Sequence, residues 1–267
     1  MRPLTDLDGS GAASIALGLA ALPHHATPDV AAADIEASHL IYAIGDIHGR
    51  HDLLTRMLRR IEADTVLPKI LVFLGDVVNR GPHTRMVLDR LIQGPDRPTD
   101  RWIVLRGNHE QAMLDALISP DGVAISRWLK RGGMQALGSY GATGKDVAPS
   151  RARTLVGPRH LAFLASLPLT HLAGGYLFVH AGVAPRVQLV DQPTSALMTI
   201  RARFLKKRHG LPYTIVHGHT PTDGEPLLGP GRIGIDTGAY ATGILTCLAI
   251  DMRTNRRRFL AVRGPAG

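Results

Sequence analysis

The sequence predicts an α/β fold in which two packed, mixed β-sheets are flanked by helices. Three observations support this prediction. The first half of the chain alternates strand-like apolar runs with amphipathic helical segments, whereas the second half has short apolar runs joined by turns rich in Gly and Pro. Polar side chains that make good metal ligands closely follow five of the runs, so we expect both sheets to deliver ligands to one shared rim.

The first half is predicted to form a β-α-β-α-β unit. Strand-like runs cover Leu40–Ile44, Ile70–Leu74 and Trp102–Leu105, and helical periodicity covers His51–Ile61 and Thr84–Ile92. Crossovers between such strands are right-handed, so the three strands are expected to be parallel neighbours. Loops that leave the carboxyl ends of parallel strands share one edge of the sheet, where α/β proteins usually bind ligands.

The second half is predicted to supply the second sheet, because its strands are short and are joined by turns rather than by long helices. Two of its runs are followed closely by His180 and His219, which a second sheet would place against the edge of the first. The predicted strands of this half are Tyr176–Val179, Tyr213–Val216, Arg232–Ile235, Ile244–Ile250 and Arg258–Val262.

A single catalytic domain is expected over residues 39–264, since the candidate ligands extend from residue 46 to residue 219. Residues 1–38, which are rich in Ala, Gly, Asp and Pro, are expected to form a mobile or peripherally docked extension. They do not resemble a secretory signal, because Arg2 is followed by acidic residues before the apolar stretch.

Composition argues against several classes of protein. No uninterrupted apolar stretch reaches membrane-spanning length, and the lone Cys247 cannot form an internal disulfide. The formal net charge is +9, but the basic residues are scattered and aromatic residues make up only 4%, so no nucleic-acid partner is expected. We therefore expect a cytoplasmic protein with no membrane partner. The oligomeric state is left open.

Five segments carry the candidate metal ligands. Their side chains offer the hard oxygen and borderline nitrogen donors that suit paired divalent transition metals, and two such ions close together can hydrolyse phosphate esters. The segments are Gly45-Asp46-Ile47-His48-Gly49, Gly75-Asp76-Val77-Val78-Asn79-Arg80-Gly81, Arg106-Gly107-Asn108-His109-Glu110, Val179-His180-Ala181-Gly182 and His217-Gly218-His219-Thr220-Pro221.

These segments resemble the signature of the phosphoprotein phosphatase family, within the calcineurin-like metallophosphoesterases, and most closely that of bacterial and bacteriophage members. The resemblance runs from about Ile41 to Leu260. It implies hydrolysis of phosphate monoesters on phosphoproteins, at Ser/Thr with Tyr also open, by a metal-bridging hydroxide that attacks phosphorus in line. Two divalent ions are implied, with Mn²⁺ preferred and iron or zinc fitting the same ligands. The partner would be a phosphorylated protein or peptide.

The resemblance also implies a role for each ligand position. Asp46 and His48 would hold one metal, Asp76 would bridge both, and the second metal would be held by Asn108, His180 and His219. The general acid would be His109.

Phosphate binding is expected from arginine side chains and from the ligand Asn108. Arg80 resembles the phosphate-gripping arginine of the family, and Arg201 lies in a segment similar to the Trp-Ile-Arg segment of bacterial members, although Thr199 replaces the tryptophan. Arg106 either lines the site or forms a structural ion pair. Arginine suits this role because its planar fork contacts phosphate in a bidentate manner.

One position departs from the family pattern. Asn79 replaces the aspartate that usually pairs with the histidine of GNHE, and an amide can orient that imidazole but cannot stabilise its cation by charge. We therefore expect a lower pKa for His109 than in typical members. The departure resembles the symmetrical dinucleoside tetraphosphatases, which gives the alternative function: hydrolysis of dinucleoside polyphosphates or other small phosphoesters. The GNHE and GHTP motifs argue against it.

A third hypothesis is a non-catalytic phosphoprotein-binding role. It is disfavoured because every ligand position holds a competent side chain. Residues 120–170 are expected to form the substrate rim, since Trp128-Leu-Lys-Arg-Gly-Gly133 resembles the W-L-x-x-G-G pattern of bacterial phosphatases. Within this rim we expect Trp128 to be a packing residue.

Overall fold

The computed structural model describes residues 40–118, 122–143 and 147–267. The predicted extension over residues 1–38 lies outside the described residues. The strands are β1 (Leu40–Ile44), β2 (Lys69–Phe73), β3 (Arg101–Val104), β4 (Thr170–Ala173), β5 (Tyr176–Val179), β6 (Thr214–His217), β7 (Leu227–Gly229), β8 (Arg232–Gly234), β9 (Ile244–Asp251) and β10 (Arg256–Arg263).

Helices connect and cover these strands. A π-helical turn, Leu129–Gly133, joins the fourth helix to the fifth. None of the described helices combines the length and the apolar character needed to cross a membrane. The helices are α1 (His51–Asp64), α2 (Thr84–Gln93), α3 (Asn108–Ile118), α4 (Gly122–Trp128), α5 (Met134–Gly138), α6 (Pro149–Ser166), α7 (Thr194–Thr199), α8 (Ala202–Lys206) and α9 (Ala239–Thr242).

The first sheet contains the predicted β-α-β-α-β unit and has the strand order β10-β9-β1-β2-β3. As predicted, β1 pairs in parallel with β2, and β2 pairs in parallel with β3. The crossover helix α1 buries Leu53, Leu54, Met57 and Ile61 on one face, which is the helical spacing that identified it. The carboxyl ends of the three parallel strands therefore share one edge.

The second sheet has the order β4-β5-β6-β8-β7. Its three central strands are parallel, and the short edge strands β4 and β7 run antiparallel to their neighbours. The sequence analysis did not predict these two edge strands, because segments of four and three residues carry almost no periodic signal. Sheet and helix content otherwise confirm the predicted fold class.

The two C-terminal strands require a correction. The sequence placed them in the second sheet, but β9 pairs antiparallel with β1, and β10 pairs with β9, so both extend the first sheet. The six central residues of β9 are buried, as expected for a strand with neighbours on both edges and packing on both faces. A continuous apolar run of this kind does not reveal which sheet it joins.

The hydrophobic core is divided into three layers between and outside the sheets. The helices α1, α2, α3 and α6 cover the outer face of the first sheet, and α7 and α8 cover that of the second. The middle layer packs the inner faces of the two sheets together and fixes their common rim. Its members include Ile41, Ala43, Ile70, Val72, Phe178, Val216, Ile233, Leu248 and Ile250.

Replacing Phe178 by Ala should loosen this middle layer. Its side chain is fully buried between the sheets, with 0% exposure, so its removal leaves a cavity that costs about 3–5 kcal/mol. We expect a corresponding fall in the free energy of unfolding, measured by urea denaturation. The control is Phe259→Ala on β10, where the side chain is 40% exposed and the loss should be much smaller. Equal losses in both variants would contradict this description of the core.

Candidate metal centre

The loops that carry the candidate ligands hold a strained backbone. In the described part of the chain, seven residues other than glycine have positive φ angles, and five of them belong to these loops. Such left-handed conformations cost about 1–3 kcal/mol each and persist only where surrounding contacts impose them. The five residues are His48, Asp76, Asn79, Arg80 and His219.

Glu110 imposes much of this conformation. Its fully buried carboxylate accepts the N–H groups of Asp76 and Gly107 at one oxygen, both at 2.8 Å. The other oxygen accepts the N–H groups of Val77 at 2.9 Å and Val78 at 3.2 Å. It thereby ties the loop after β2 to the start of α3. No role was predicted for this residue from the sequence, although it is the last residue of the GNHE motif.

Asp76 lies between two groups of potential ligands. Its Oδ1 is 3.4 Å from Nε2 of His180, whereas its Oδ2 is 3.6 Å from Nε2 of His48 and 3.9 Å from Nε2 of His109. Asp76, His180 and His219 form one group, and Asp76, His48 and His109 form the other, with the ligand atoms of each group within 4.8 Å of one another. Asp76 therefore occupies the place expected of a bridging ligand.

Backbone carbonyls orient two of the histidines towards Asp76. The Nδ1 of His180 is 2.9 Å from the carbonyl of Leu74, and the Nδ1 of His48 is 3.0 Å from that of Val78. Each Nδ1 must carry a proton to make this bond, so each Nε2 presents a lone pair. Burial lowers the pKa of His180 to about 4 and that of His48 well below its usual range, which keeps both rings neutral.

The remaining predicted ligands lie at the same centre. Oδ1 of Asn108 is 3.1 Å from Nε2 of His180, and Nδ1 of His219 is 3.2 Å from that nitrogen. Asp46 accepts the backbone N–H of His219 through both carboxylate oxygens, at 3.2 and 3.3 Å. All six predicted metal ligands are thus brought together, although they come from both sheets.

Asp236 adds a carboxylate that the sequence analysis did not identify. It is buried, hydrogen-bonds to Asp46 and accepts the N–H of Gly238 at 3.0 Å. Burial, Asp236 and Asp76 raise the pKa of Asp46 well above its usual range. Such a concentration of buried carboxylates, beside neutral histidines, is a donor set that fits divalent cations. The sequence feature that could have identified Asp236 is the polar Asp-Thr-Gly sequence, which directly follows an apolar run.

The orientation of His109 is set by Asn79 and Trp128. Because an indole N–H can only donate, its 3.0 Å bond to Oδ1 of Asn79 identifies the amide oxygen. The amide nitrogen then faces Nδ1 of His109, at 3.0 Å, and donates to it. Neutral His109 consequently carries its proton on Nε2. Burial and the charge of Arg80 lower the pKa of His109 to about 3. The prediction that Asn79 itself lowers this pKa relative to typical family members stays a prediction.

Arg80 is held beside His109 by an aromatic ring. Its guanidinium lies over Tyr240, 4.3 Å from the ring centroid, and one of its nitrogens is 3.3 Å from Nε2 of His109. Since that Nε2 carries the proton, it cannot accept from Arg80, whose N–H groups stay available for a phosphate. Tyr240 was not among the residues singled out from the sequence.

The other two arginines have different surroundings. Arg201 lines the same cleft as Arg80 and donates through Nε to Nε2 of His219, at 3.1 Å. Arg106 is not among the residues that line this cleft. Its guanidinium donates to Oε1 of Gln111 at 3.2 Å and to the carbonyl of Ala165 at 2.6 Å. The prediction that Arg106 binds phosphate is therefore corrected to a structural role. The sequence alone does not show whether an arginine next to a motif faces the cleft or the protein interior.

An open cleft of about 710 Å³ gives access to the centre. It is bordered by the loop after β2, the start of α3, the π-helical turn, the segment between α7 and α8, and the start of α9. Among the described residues that line it, none is acidic. The lining residues are Arg80, Asn108, His109, Lys130, Arg131, Gly132, Gln135, Thr199, Arg201, His219 and Tyr240.

Comparison with known families and curated proteins gives a consistent result. Residues 39–242 match the family described as calcineurin-like phosphoesterase. Over 147 residues, 54% of the chain, the sequence is 34% identical to the symmetrical bis(5'-nucleosyl)-tetraphosphatase of Methylococcus capsulatus, covering 44% of that protein. Over 48 residues, 18% of the chain, it is 44% identical to the enzyme of the same name from Delftia acidovorans, covering 17% of it. The matches thus span less than half the length of these curated relatives.

Solved structures show the same fold. One, provisionally assigned as a diadenosine tetraphosphatase, matches with a TM-score of 0.59 at 20% identity, over 85% of this chain and 95% of that one. Another is a protein serine/threonine phosphatase from Saccharomyces cerevisiae with similarity to human phosphatase PP5. It matches with a TM-score of 0.55 at 17% identity, over 90% of this chain and 82% of that one.

Asp76→Asn should abolish metal binding. An amide at this position carries no charge, so it cannot bridge two dications, and we expect the bound Mn²⁺ to fall from about two ions per chain to almost none, by elemental analysis. The control is Asp115→Asn on the exposed face of α3, which should retain its metal.

The same proteins test the pH dependence of metal binding. Because burial raises the pKa of Asp76 to about 7, an ion must displace a proton below that pH. The rise in melting temperature that Mn²⁺ produces should therefore be larger at pH 8 than at pH 6. Full metal content in Asp76→Asn, or no pH effect in the parent, would contradict this assignment.

Asn79→Asp should raise the pKa of His109. A carboxylate beside Nδ1 stabilises the imidazolium, by about 1–3 pKa units for a close opposite charge. In aryl phosphate hydrolysis the variant should therefore show a limb of the pH–rate profile that reports loss of this proton, whereas the parent, whose ring is already neutral, should show none near neutral pH. Asn255→Asp, in the turn between β9 and β10, serves as the control. An unchanged rate and profile in Asn79→Asp would show that the amide does not govern His109.

Proposed function

The chain belongs to the calcineurin-like phosphoesterase family, and from this premise we propose that it is a metal-dependent hydrolase of dinucleoside polyphosphates. Phosphoproteins, which the sequence alone favoured, become the second candidate. The observation that carries this choice is the hydrogen bond from the amide of Asn79 to Nδ1 of His109, at 3.0 Å.

This hydrogen bond limits the proton that His109 can supply. The Nδ1 accepts from an amide, so no group at that nitrogen stabilises an imidazolium, and the ring enters the reaction neutral with its proton on Nε2. A neutral imidazole can donate a hydrogen bond to a leaving oxygen, but it is a far weaker acid than its cation. The site is consequently suited to leaving groups that depart without full protonation.

Leaving groups differ sharply in this respect. Cleavage of phosphoserine or phosphothreonine releases an alkoxide, which is strongly basic and needs a proton as it leaves. Cleavage of a phosphoanhydride releases a phosphate group, whose last proton has a pKa of only about 6. Asn79 therefore favours a phosphoanhydride substrate. The names of both curated relatives, symmetrical bis(5'-nucleosyl)-tetraphosphatases, support the same substrate class.

Each side chain of the centre has a part in this reaction. Divalent ions held by Asp46, His48, Asp76, Asn108, His180 and His219 would supply Lewis-acid activation of water and of the phosphate. Arg80 and Arg201 bind the equatorial oxygens of the phosphate under attack, because their guanidinium forks match its geometry. His109 donates its Nε2 proton as a hydrogen bond to the bridging oxygen that leaves. We propose Mn²⁺ as the metal, with iron and zinc suiting the same donors.

The second candidate is favoured by motif identity. The GNHE and GHTP segments match the phosphoprotein phosphatases more closely than the tetraphosphatases, and the first of them supplies Glu110, which organises the loops of this site. A phosphorylated protein or peptide remains the partner that this candidate requires.

The two candidates make opposite predictions for substrate preference. With the Mn²⁺-loaded protein, we expect kcat/KM for diadenosine tetraphosphate to exceed that for phosphoserine, phosphothreonine and phosphotyrosine peptides by at least about tenfold. We also expect rates on a series of aryl phosphates to fall steeply as the leaving phenol becomes more basic. Asp76→Asn is the inactive control, which excludes a contaminating phosphatase.

Two results would reject the proposed substrate class. Preference for the peptides would promote the second candidate. A leaving-group dependence that is flat would show that His109 delivers a proton after all. In Asn79→Asp, a carboxylate can accept a hydrogen bond from Nδ1–H of a His109 imidazolium. The hydrolysis rate for substrates with the most basic leaving groups should therefore increase relative to the rate for those with the least basic ones.

A further inference from the structure

We propose that the π-helical turn, Leu129–Gly133, is a second phosphate-binding subsite, in which Lys130 and Arg131 hold a phosphate group adjacent to the one being cleaved. The chemical class of ligand is a linear chain of phosphates. This inference rests on the proposed function and deepens it by naming the residues that distinguish a polyphosphate from a monoester.

The turn is anchored at its beginning by Trp128. This side chain is buried, with 1% exposure, and its indole N–H donates to Oδ1 of Asn79 at 3.0 Å. Gly133 packs directly against the indole, since a Cβ added there would lie 2.6 Å from Cδ2 of Trp128. Trp128 therefore packs in the interior, as predicted, and also donates a hydrogen bond to Asn79 in the loop after β2.

The turn is anchored a second time at Gly132. Its carbonyl accepts the backbone N–H of Arg80 at 3.2 Å, and its φ of +96° lies in the region that favours glycine. A Cβ at this position would lie 2.5 Å from the nitrogen of Arg80. The backbone of the turn is thus pressed against the residue that grips the phosphate, and only glycine permits that approach.

Lys130 and Arg131 lie between these two anchors, Trp128 and Gly132, and are thereby held at the cleft. Lys130 and Arg131 are both exposed and line the same cleft as Arg80, Asn108 and His109. None of the described residues that line the cleft is acidic, so the lining offers these cations no carboxylate.

The number of cations exceeds what a monoester requires. Arg80 and Arg201 already stand beside the two ligand groups, where they suffice for the phosphate under attack. Lys130 contributes a mobile point charge and Arg131 a rigid fork, which together suit a second tetrahedral anion linked to the first. A phosphopeptide with a single phosphate would leave both of them without a ligand.

The experiment measures competitive inhibition of aryl phosphate hydrolysis by tripolyphosphate and by orthophosphate. It uses the Mn²⁺-loaded protein at one fixed concentration of free Mn²⁺ and at constant ionic strength. In the parent we expect tripolyphosphate to bind at least tenfold more tightly than orthophosphate. In the Lys130→Gln/Arg131→Gln variant this ratio should fall at least fivefold.

A matched variant controls for net charge. Arg127→Gln/Arg151→Gln removes two exposed positive charges from α4 and α6, outside the residues that line the cleft, and should keep the parental ratio. ATP in place of tripolyphosphate distinguishes the source of the chain: tighter binding of ATP assigns a nucleotide, and equal binding assigns an inorganic chain, with the same dependence on Lys130 and Arg131 in either case.

The subsite and the proposed function can fail separately. If the Lys130→Gln/Arg131→Gln variant keeps the parental ratio, the subsite is overturned, while the hydrolytic function stands. If the parent hydrolyses neither diadenosine tetraphosphate nor aryl phosphate, the proposed function fails, and calorimetric titration of tripolyphosphate into the same proteins still tests the subsite. Equal binding of tripolyphosphate and orthophosphate by the parent would also reject it.

Discussion

The carboxylate of Glu110 holds together the backbone on which the whole site depends. It accepts four N–H groups from the two loops that follow the neighbouring strands β2 and β3, at distances of 2.8 to 3.2 Å. Without it, these buried donors would be left unsatisfied at a cost of about 1–3 kcal/mol each. Asp76 could not then keep its left-handed conformation, and its two oxygens would no longer face separate groups of histidines. The buried Glu110 thus holds the loops at the edge of the sheet in the conformation in which Asp76 faces both groups of histidines.

Trp128 connects the loop that orients His109 to the turn that we propose as a second phosphate subsite. Its indole N–H fixes the amide of Asn79, and that amide in turn determines which nitrogen of His109 carries the proton. The same tryptophan begins the turn that carries Lys130 and Arg131. Because one side chain supports both features, the preference for weakly basic leaving groups that we propose and the positive charge of Lys130 and Arg131 share one structural origin. Both features suit a phosphate chain, in which each phosphate is a good leaving group for the next.

Local patterns predicted the parts of this site that lie close in sequence to a strand end. The strands β1 and β5 have the predicted bounds, and the ligands Asp46, Asp76 and His180 follow β1, β2 and β5 closely. Tyr240 was missed because its place depends on long-range pairing, in which β9 returns to β1 and draws the preceding segment onto the rim. Asp236 was missed although, two residues after β8, it follows a strand end as the other acidic side chains do. For Arg106 the sequence left both a position in the cleft and a structural one open, and its carbonyl and amide partners turn it away from the cleft. Position after a strand end therefore predicts which candidate ligands meet at the rim, but it does not predict the residues packed around them.

The electrostatics of the centre couple metal binding to stability. Burial raises the pKa of Asp76 to about 7, so its contribution to stability is complete below the ordinary carboxyl range and is lost as the pH rises through 7. The pKa of His109 is lowered to about 3, so that ring contributes fully at neutral pH and loses its contribution as the pH falls. At neutral pH the ligand candidates His48 and His180 are likewise neutral, with Nε2 free to bind a metal, whereas the carboxylates repel one another. A divalent cation removes that repulsion without disturbing the histidines, and folding of the rim and loading of the metal centre are for this reason a single linked equilibrium.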